Sequence, residues 1–178
     1  MLRDSRFWFV ILIGLVALLR LAELAISARN ARRLRARGGV ESGAGHYPVM
    51  VGVHAVFLAA APLEVILLDR GFIPTLGFSM LALFALTLAL RYWVIATMGE
   101  HWCTRVVVLP GVPLVATGPF RILRHPNYLA VAVEVPALAL VHTAWISAMI
   151  FGGLNALVLR TRIQVENAAL TAAAEDAP

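Results

Sequence analysis

FWFVILIGLVALLRLAELAI, residues Phe7 to Ile26, decides the class of this chain. A helix of about 20 mainly apolar residues, rising ~1.5 Å per residue, crosses the ~30 Å hydrocarbon core of a bilayer. A cleaved leader has a shorter apolar stretch, of ~7–15 residues, followed by small residues. Here arginine-rich sequence follows, so the stretch reads as a retained first span. Its ionisable residues, Arg20 and Glu23, are three apart and share a helix face, where they can satisfy each other.

Working outward, four more apolar blocks follow: Pro48–Leu68, Ile73–Ile95, Tyr128–Val141 and Ala144–Leu159. Asp69-Arg70-Gly71 and His142-Thr143 read as tight turns between them. Ser27–Tyr47 reads as a polar, glycine-rich loop. Gly99–Arg124 is mixed: a β-like run, TRVVVLP (residues 104–110), precedes turn signals at Pro110-Gly111, Pro113 and Gly118-Pro119. Arg160–Pro178 continues the fifth block as a helix that frays at its end. The fourth block is short, roughly 21 Å for 14 residues, so its start is expected to lie below the headgroups. The fold expected is all-α and membrane-integral: five transmembrane helices with a cytoplasmic cofactor-binding cap, as a single domain over residues 1–178.

Composition agrees. Hydrophobic residues make up 61% of the 178 and charged residues 14%, whereas soluble domains run nearer half and a quarter. All fifteen basic residues are arginine, and the net charge is +5. Such a balance raises the question of nucleic acid, but the arginines flank apolar blocks, which suits anionic lipid headgroups; no nucleic-acid partner is expected. With five spans, Arg29, Arg32, Arg33, Arg35, Arg37, Arg105, Arg121, Arg124, Arg160 and Arg162 fall on one side, and Arg3, Arg6 and Arg70 on the other. The positive-inside rule then makes the C-terminus cytoplasmic and the N-terminus external, in a bacterial plasma membrane. Cys103 is the single cysteine; it allows no intrachain disulfide or cysteine-rich zinc site and reads as a small packing residue. No GxGxxG after a strand, P-loop, H-E-x-x-H or G-x-S-x-G is present.

Two stretches carry chemistry. GPFRILRHPNY, Gly118 to Tyr128, puts two arginines, a histidine, an asparagine and a tyrosine directly before a span. Interfacial anchoring accounts for arginine and tyrosine, but not for His125-Pro126-Asn127. Pro126 restricts His125 to extended geometry and suits the first helical turn, giving a fixed elbow at a helix N-terminus, where anions bind. RTRIQVENAAL, Arg160 to Leu170, places Arg162 and Glu166 four apart on one face, which alone reads as an exposed ion pair.

Together, Arg124-His125-Pro126-Asn127-Tyr128 and the Arg162-Ile163-x-x-Glu166-x-x-x-Leu170 helix resemble the isoprenylcysteine carboxyl methyltransferases, membrane enzymes that use S-adenosylmethionine. Ala130 stands where that family often has glycine, and Asn167 where it often has a second glutamate. Arg29-Asn30, GGVESGAGHYP, His54, LRYWVIATMGEHWCTRVVVLPG and HPNY followed by Glu134 resemble a bacterial branch found beside type III polyketide synthases, thought to methylate alkylpyrone or alkylresorcinol oxygens. The resemblance implies an S-adenosylmethionine-dependent O-methyltransferase, a lipophilic small-molecule acceptor and a type III polyketide synthase as functional partner. It implies cofactor contacts from Arg124, His125, Pro126, Tyr128, Arg162 and Glu166. Arg162 or Arg124 suits the cofactor carboxylate, and Glu166 its ammonium or ribose hydroxyls.

Methyl transfer is an in-line displacement that needs no metal; a phenolic acceptor needs a base. The candidates are His54, on one face of the second span with Tyr47, and Glu134 within the fourth, which can instead pair with Arg91. Ionisable groups at membrane depth are costly and read as functional. Trp93, Trp102 and Trp145 read as interface or packing residues. Three rival functions remain: prenylcysteine methylation, disfavoured by Ala130 and Asn167; a sterol-reductase-like enzyme using NADPH, which shares an R-H-x-N-Y element in a much longer chain; and a non-catalytic membrane partner.

Overall fold

A computed structural model describes residues 2–175. The expected fraying at 176–178 and the side chain of Arg3 lie outside what it describes. Five α-helices alternate in direction: α1 (Leu2–Ala36), α2 (Tyr47–Leu67), α3 (Pro74–Met98), α4 (Pro126–Leu140) and α5 (Trp145–Glu175). Four are long and apolar enough to cross a bilayer, and α4 is a shorter apolar helix of 15 residues. The chain is an all-α integral membrane protein.

α4 is the central element. It packs between α3 and α5, and nine of its fifteen residues are buried. Around it, Phe9, Ile13 and Val16 of α1, Phe57, Ala61 and Val65 of α2, Phe84 of α3 and Phe151 of α5 form one core. The outward faces carry Trp8, Leu18, Leu67, Phe78, Leu86 and Met149, all exposed. In water such a surface would be an aggregation liability; in a bilayer it is the lipid contact.

One sequence expectation changes. Ser27–Tyr47 is not one loop, because α1 continues to Ala36 and its last turns project past the apolar part. The arginines there cost nothing in helix propensity. Ser27 and Asn30 are buried on the inner face of this extension, where Asn30 Nδ2 donates to the Gly99 carbonyl at 3.1 Å and to that of Trp102 at 2.8 Å. The remaining loop forms β1 (Val40–Ser42), antiparallel to β2 (Val106–Val108) within the β-like run, with Glu41 opposite Val107.

At the opposite end, Glu64 of α2 caps α5. Its carboxylate accepts from the backbone N–H of Ile146 at 3.1 Å and of Ser147 at 2.7 Å, and from Arg70 at 2.8 Å. A carboxylate there satisfies orphan donors and meets the positive end of the helix dipole. Arg6 pairs with Asp69 at 2.5 Å across the same end.

Candidate functional site

The arginine-rich end holds a cavity of about 220 Å³, built from the segment between α3 and α4 together with the projecting part of α5. β2 and the loop after it supply an apolar wall, including Val107, Leu109, Leu114, Val115 and Phe120. His101, Cys103, Arg105, Arg124, His125 and Glu166 make the polar lining. At the elbow before α4, Pro126 opens the helix as expected and His125 is the N-cap, but His125, at φ −133° and ψ 64°, is not in the extended geometry expected before proline. Gly118 turns the preceding chain at φ +57°, where a Cβ would lie 2.6 Å from the Thr97 hydroxyl, so the turn requires glycine.

Behind this lining, Tyr128 donates a hydrogen bond to Glu166, and Arg162 Nε donates to the Tyr128 oxygen at 3.1 Å. His125 Nδ1 lies 3.8 Å from Glu166, and its ring centroid is 5.4 Å from that of Tyr128. Arg162 and Glu166 form no direct ion pair among the described residues. The buried phenol needs partners and stands between them, so this is a partly buried network rather than the exposed pair their spacing suggests. Arg124 is exposed at the cavity and has no hydrogen-bond or ion-pair partner among the described residues. Of the six expected cofactor residues, Arg124, His125 and Glu166 line the cavity, while Tyr128, Arg162 and Pro126 support them from the adjoining helices.

Sequence reasoning missed His101, Arg105 and the apolar wall as cavity residues, and took Cys103 for packing alone. Arg105 donates to Glu41 at 2.6 Å, and its guanidinium lies 4.2 Å over the Tyr47 ring. Glu41 also accepts from Arg35. The hydrogen bond from Arg105 holds the Glu41 carboxyl below the usual carboxylate range, and the same bond raises Arg105. Burial pushes the Cys103 thiol up, so it is the neutral thiol that faces the cavity. The run of valines in TRVVVLP was the available signal for a wall; its β1 partner had none.

A second polar cluster lies within the helix bundle. Arg20 contacts Glu23 at 2.7 Å and Glu134 at 3.3 Å; Arg91 contacts Glu23 at 3.1 Å and Glu134 at 3.3 Å. Two arginines and two glutamates thus close a ring of four ion pairs from α1, α3 and α4. The Arg20–Glu23 and Glu134–Arg91 pairings were legible from spacing and chemistry. Beside the ring is a cavity of about 30 Å³ lined by His54, Glu134, Arg20, Phe57, Phe84 and Leu138. His54 and Glu134 therefore meet at one cavity, whereas Tyr47 stays at the arginine-rich end, its hydroxyl 3.1 Å from Thr104. His54 Nδ1 is 2.8 Å from the Met50 carbonyl. A carbonyl only accepts, so Nδ1 carries the proton and Nε2 keeps its lone pair. Met50 also puts its sulfur 3.9 Å from Arg162 Nη1. His54 thus sits one turn, ~5.4 Å, deeper along α2 than the residue touching the Arg162–Tyr128–Glu166 network. Trp102 is buried, while Trp93 and Trp145 face outward, as expected of packing and interface residues.

Residues 80–172, which hold the cavity lining from α3 onward, the elbow and the α5 network, match the family described as isoprenylcysteine carboxyl methyltransferase. The chain belongs to the isoprenylcysteine carboxyl methyltransferase family. It is a membrane methyltransferase, and enzymes of this family use S-adenosylmethionine. It is 33% identical over 165 residues to uncharacterized protein YpbQ of Bacillus subtilis (strain 168), across 92% of this chain and 96% of that one. An uncharacterized Haemophilus influenzae protein is 28% identical over 154 residues, across 86% of this chain and 89% of its own length. No solved structure matches.

The lining fits the family's cofactor. An unpaired arginine meets a carboxylate, Glu166 meets an ammonium or hydroxyls, and an apolar wall meets an adenine face. Arg124 is better placed for the carboxylate than Arg162, which is buried and already bonded to Tyr128.

Proposed function

We propose that this protein is an S-adenosylmethionine-dependent O-methyltransferase acting on a lipophilic hydroxyl acceptor such as an alkylpyrone or alkylresorcinol. The arginine-rich end faces the cytoplasm and forms the cofactor-binding cap, and a type III polyketide synthase supplies the acceptor. The observation that carries the reading is the Arg162–Tyr128–Glu166 network at the edge of a cavity that also presents an unpaired Arg124.

When bound, the cofactor supplies a methyl group on a cationic sulfur, open to in-line attack. Arg124 would hold its carboxylate, and Glu166, steadied by Tyr128, would accept from its ammonium or ribose. Pro126 fixes His125 at the cavity edge. The acceptor enters from lipid with its tail among the outward apolar faces and its hydroxyl toward His54. His54 Nε2 would take the proton of an acceptor hydroxyl presented to it. Each Glu134 oxygen is engaged by a guanidinium, so Glu134 acts by setting the cavity wall and balancing its charge.

The family's description favours a second reading, a prenylcysteine carboxylate as acceptor. The ring of ion pairs weighs against it: Arg20, the arginine that lines the deep cavity, is already paired with Glu23 and Glu134, so a carboxylate would find no free cation there.

Calorimetry on the detergent-solubilised protein tests the function. S-adenosylmethionine is expected to bind in the micromolar range and NADPH not at all. NADPH binding without a response to the methyl donor would move the chain to the reductase class, and binding of neither would leave a non-catalytic partner. Turnover of an alkylresorcinol but not of a prenylcysteine separates the two acceptor readings.

A further inference from the structure

Glu41 lies outside the residues that match the family, on the short ribbon between α1 and α2, yet it controls a charge in the cavity wall. Arg105 lines the cavity and spends one guanidinium N–H on Glu41 at 2.6 Å. Without that carboxylate the site region would hold three cations, Arg105, Arg124 and Arg162, against Glu166 alone. Glu41 reduces the surplus to one. Arg105 is a third exposed and Glu41 about a sixth, so the pair is screened by salt but not insulated from the cavity.

The consequence depends on the ligand. At neutral pH S-adenosylmethionine carries a sulfonium, an ammonium and a carboxylate, one net positive charge. The demethylated product, S-adenosylhomocysteine, has lost the sulfonium and is net neutral. An uncompensated arginine in the wall opposes the donor and leaves the product nearly indifferent. We propose that Glu41 is a positioning residue that sets the preference for methyl donor over spent product, by neutralising Arg105 in the cavity wall. This rests on the methyl-donor reading above.

The test is calorimetry at low ionic strength with both ligands on the full-length protein. Glu41→Gln is expected to lower the donor-over-product affinity ratio about three- to tenfold, the size of one partly screened charge at cavity distances. Arg105→Gln removes the cation from the cavity wall, leaving Glu41 paired with Arg35, and should raise the ratio. The double variant should return it toward wild type. Arg35→Ala removes the other Glu41 partner, which is not among the cavity-lining residues, and should move the ratio by less than twofold. Glu41→Asp keeps the charge and should keep most of the preference; it also serves should Glu41→Gln fold poorly. A merely structural ribbon would weaken both ligands together and give no opposite sign for Arg105→Gln. Equal loss of both ligands, or no change, in Glu41→Gln would overturn the proposal while wild-type donor binding leaves the methyltransferase reading standing. Wild-type protein that binds neither ligand would overturn both.

Discussion

The Tyr128 hydroxyl donates to Glu166 while accepting from Arg162 at 3.1 Å, so one phenol at the start of α4 ties together two charged residues a turn apart on α5. Glu166→Gln keeps the shape and removes the charge. It should weaken methyl-donor binding by about 1.5–3 kcal/mol, the range for a hydrogen bond to a charged group. Calorimetry that finds the variant binding like wild type would mean the donor does not sit against α5.

The ring of Arg20, Glu23, Arg91 and Glu134 predicts an asymmetry in stability. Glu23 is buried and bonded to both arginines. Glu23→Gln leaves them undercompensated and should cost about 3–5 kcal/mol. Asp69→Asn breaks a pair whose carboxylate is 88% exposed and should cost no more than about 1 kcal/mol. Denaturation in detergent reads both. Similar losses for the two would show that the ring is not the buried network described.

Helix number and the short α4 were legible because apolar length is a one-dimensional signal. The start of α4 was legible because Pro126 suits the first helical turn, whereas the backbone of His125, at ψ 64°, was not. The α1 extension was not: its arginines look like loop residues until Ser27 and Asn30 are seen bonding to Thr104, Gly99 and Trp102, some seventy positions away. The Glu41–Arg105 pair was hidden for the same reason, since antiparallel pairing of two three-residue strands leaves no local periodicity. His54 could be flagged from its depth, but which of its nitrogens is free depends on the Met50 carbonyl.

Topology gives a prediction independent of chemistry. Ten arginines lie on the proposed inner side against three outside, while Arg20 and Arg91 are taken up in the buried ring. Reporter fusions should place the C-terminus in the cytoplasm and the N-terminus outside. A C-terminal reporter active only on the outer side would put the cavity on the wrong face for a cytoplasmic donor.

Cys103 offers a pH-dependent probe of the cavity. Burial raises its thiol, so less thiolate is present at pH 7–8 than for a free cysteine. Alkylation should be slow there and accelerate as pH rises past the free-thiol range. The same shift means that its contribution to stability holds below the unfolded-state value and is lost as pH rises through the folded one. Because Cys103 lines the cavity, saturating methyl donor should slow alkylation further. Fast labelling at pH 7, unaffected by the donor, would contradict both the burial and the placement.

The last prediction separates the two polar centres. Met50 links His54 to the cofactor network: His54 Nδ1 is 2.8 Å from its carbonyl, and its sulfur lies 3.9 Å from Arg162. His54→Ala should therefore leave donor binding within about twofold. If the acceptor oxygen arrives as a phenol, losing the Nε2 lone pair should lower turnover ~10²–10⁴-fold, the span of general-base catalysis. If it arrives as an anion, such as an acidic pyrone enol, no base is needed and the loss should be small. Glu134→Gln behaves differently, because it removes a carboxylate shared by Arg20 and Arg91; its larger effect should be on stability, with donor binding intact in the folded fraction. Donor affinity, unfolding midpoint and turnover of an alkylresorcinol, measured on the two variants, distinguish these cases. Should Glu134→Gln keep full stability and abolish turnover while His54→Ala stays active, the base is Glu134, and the roles assigned to the two residues are reversed.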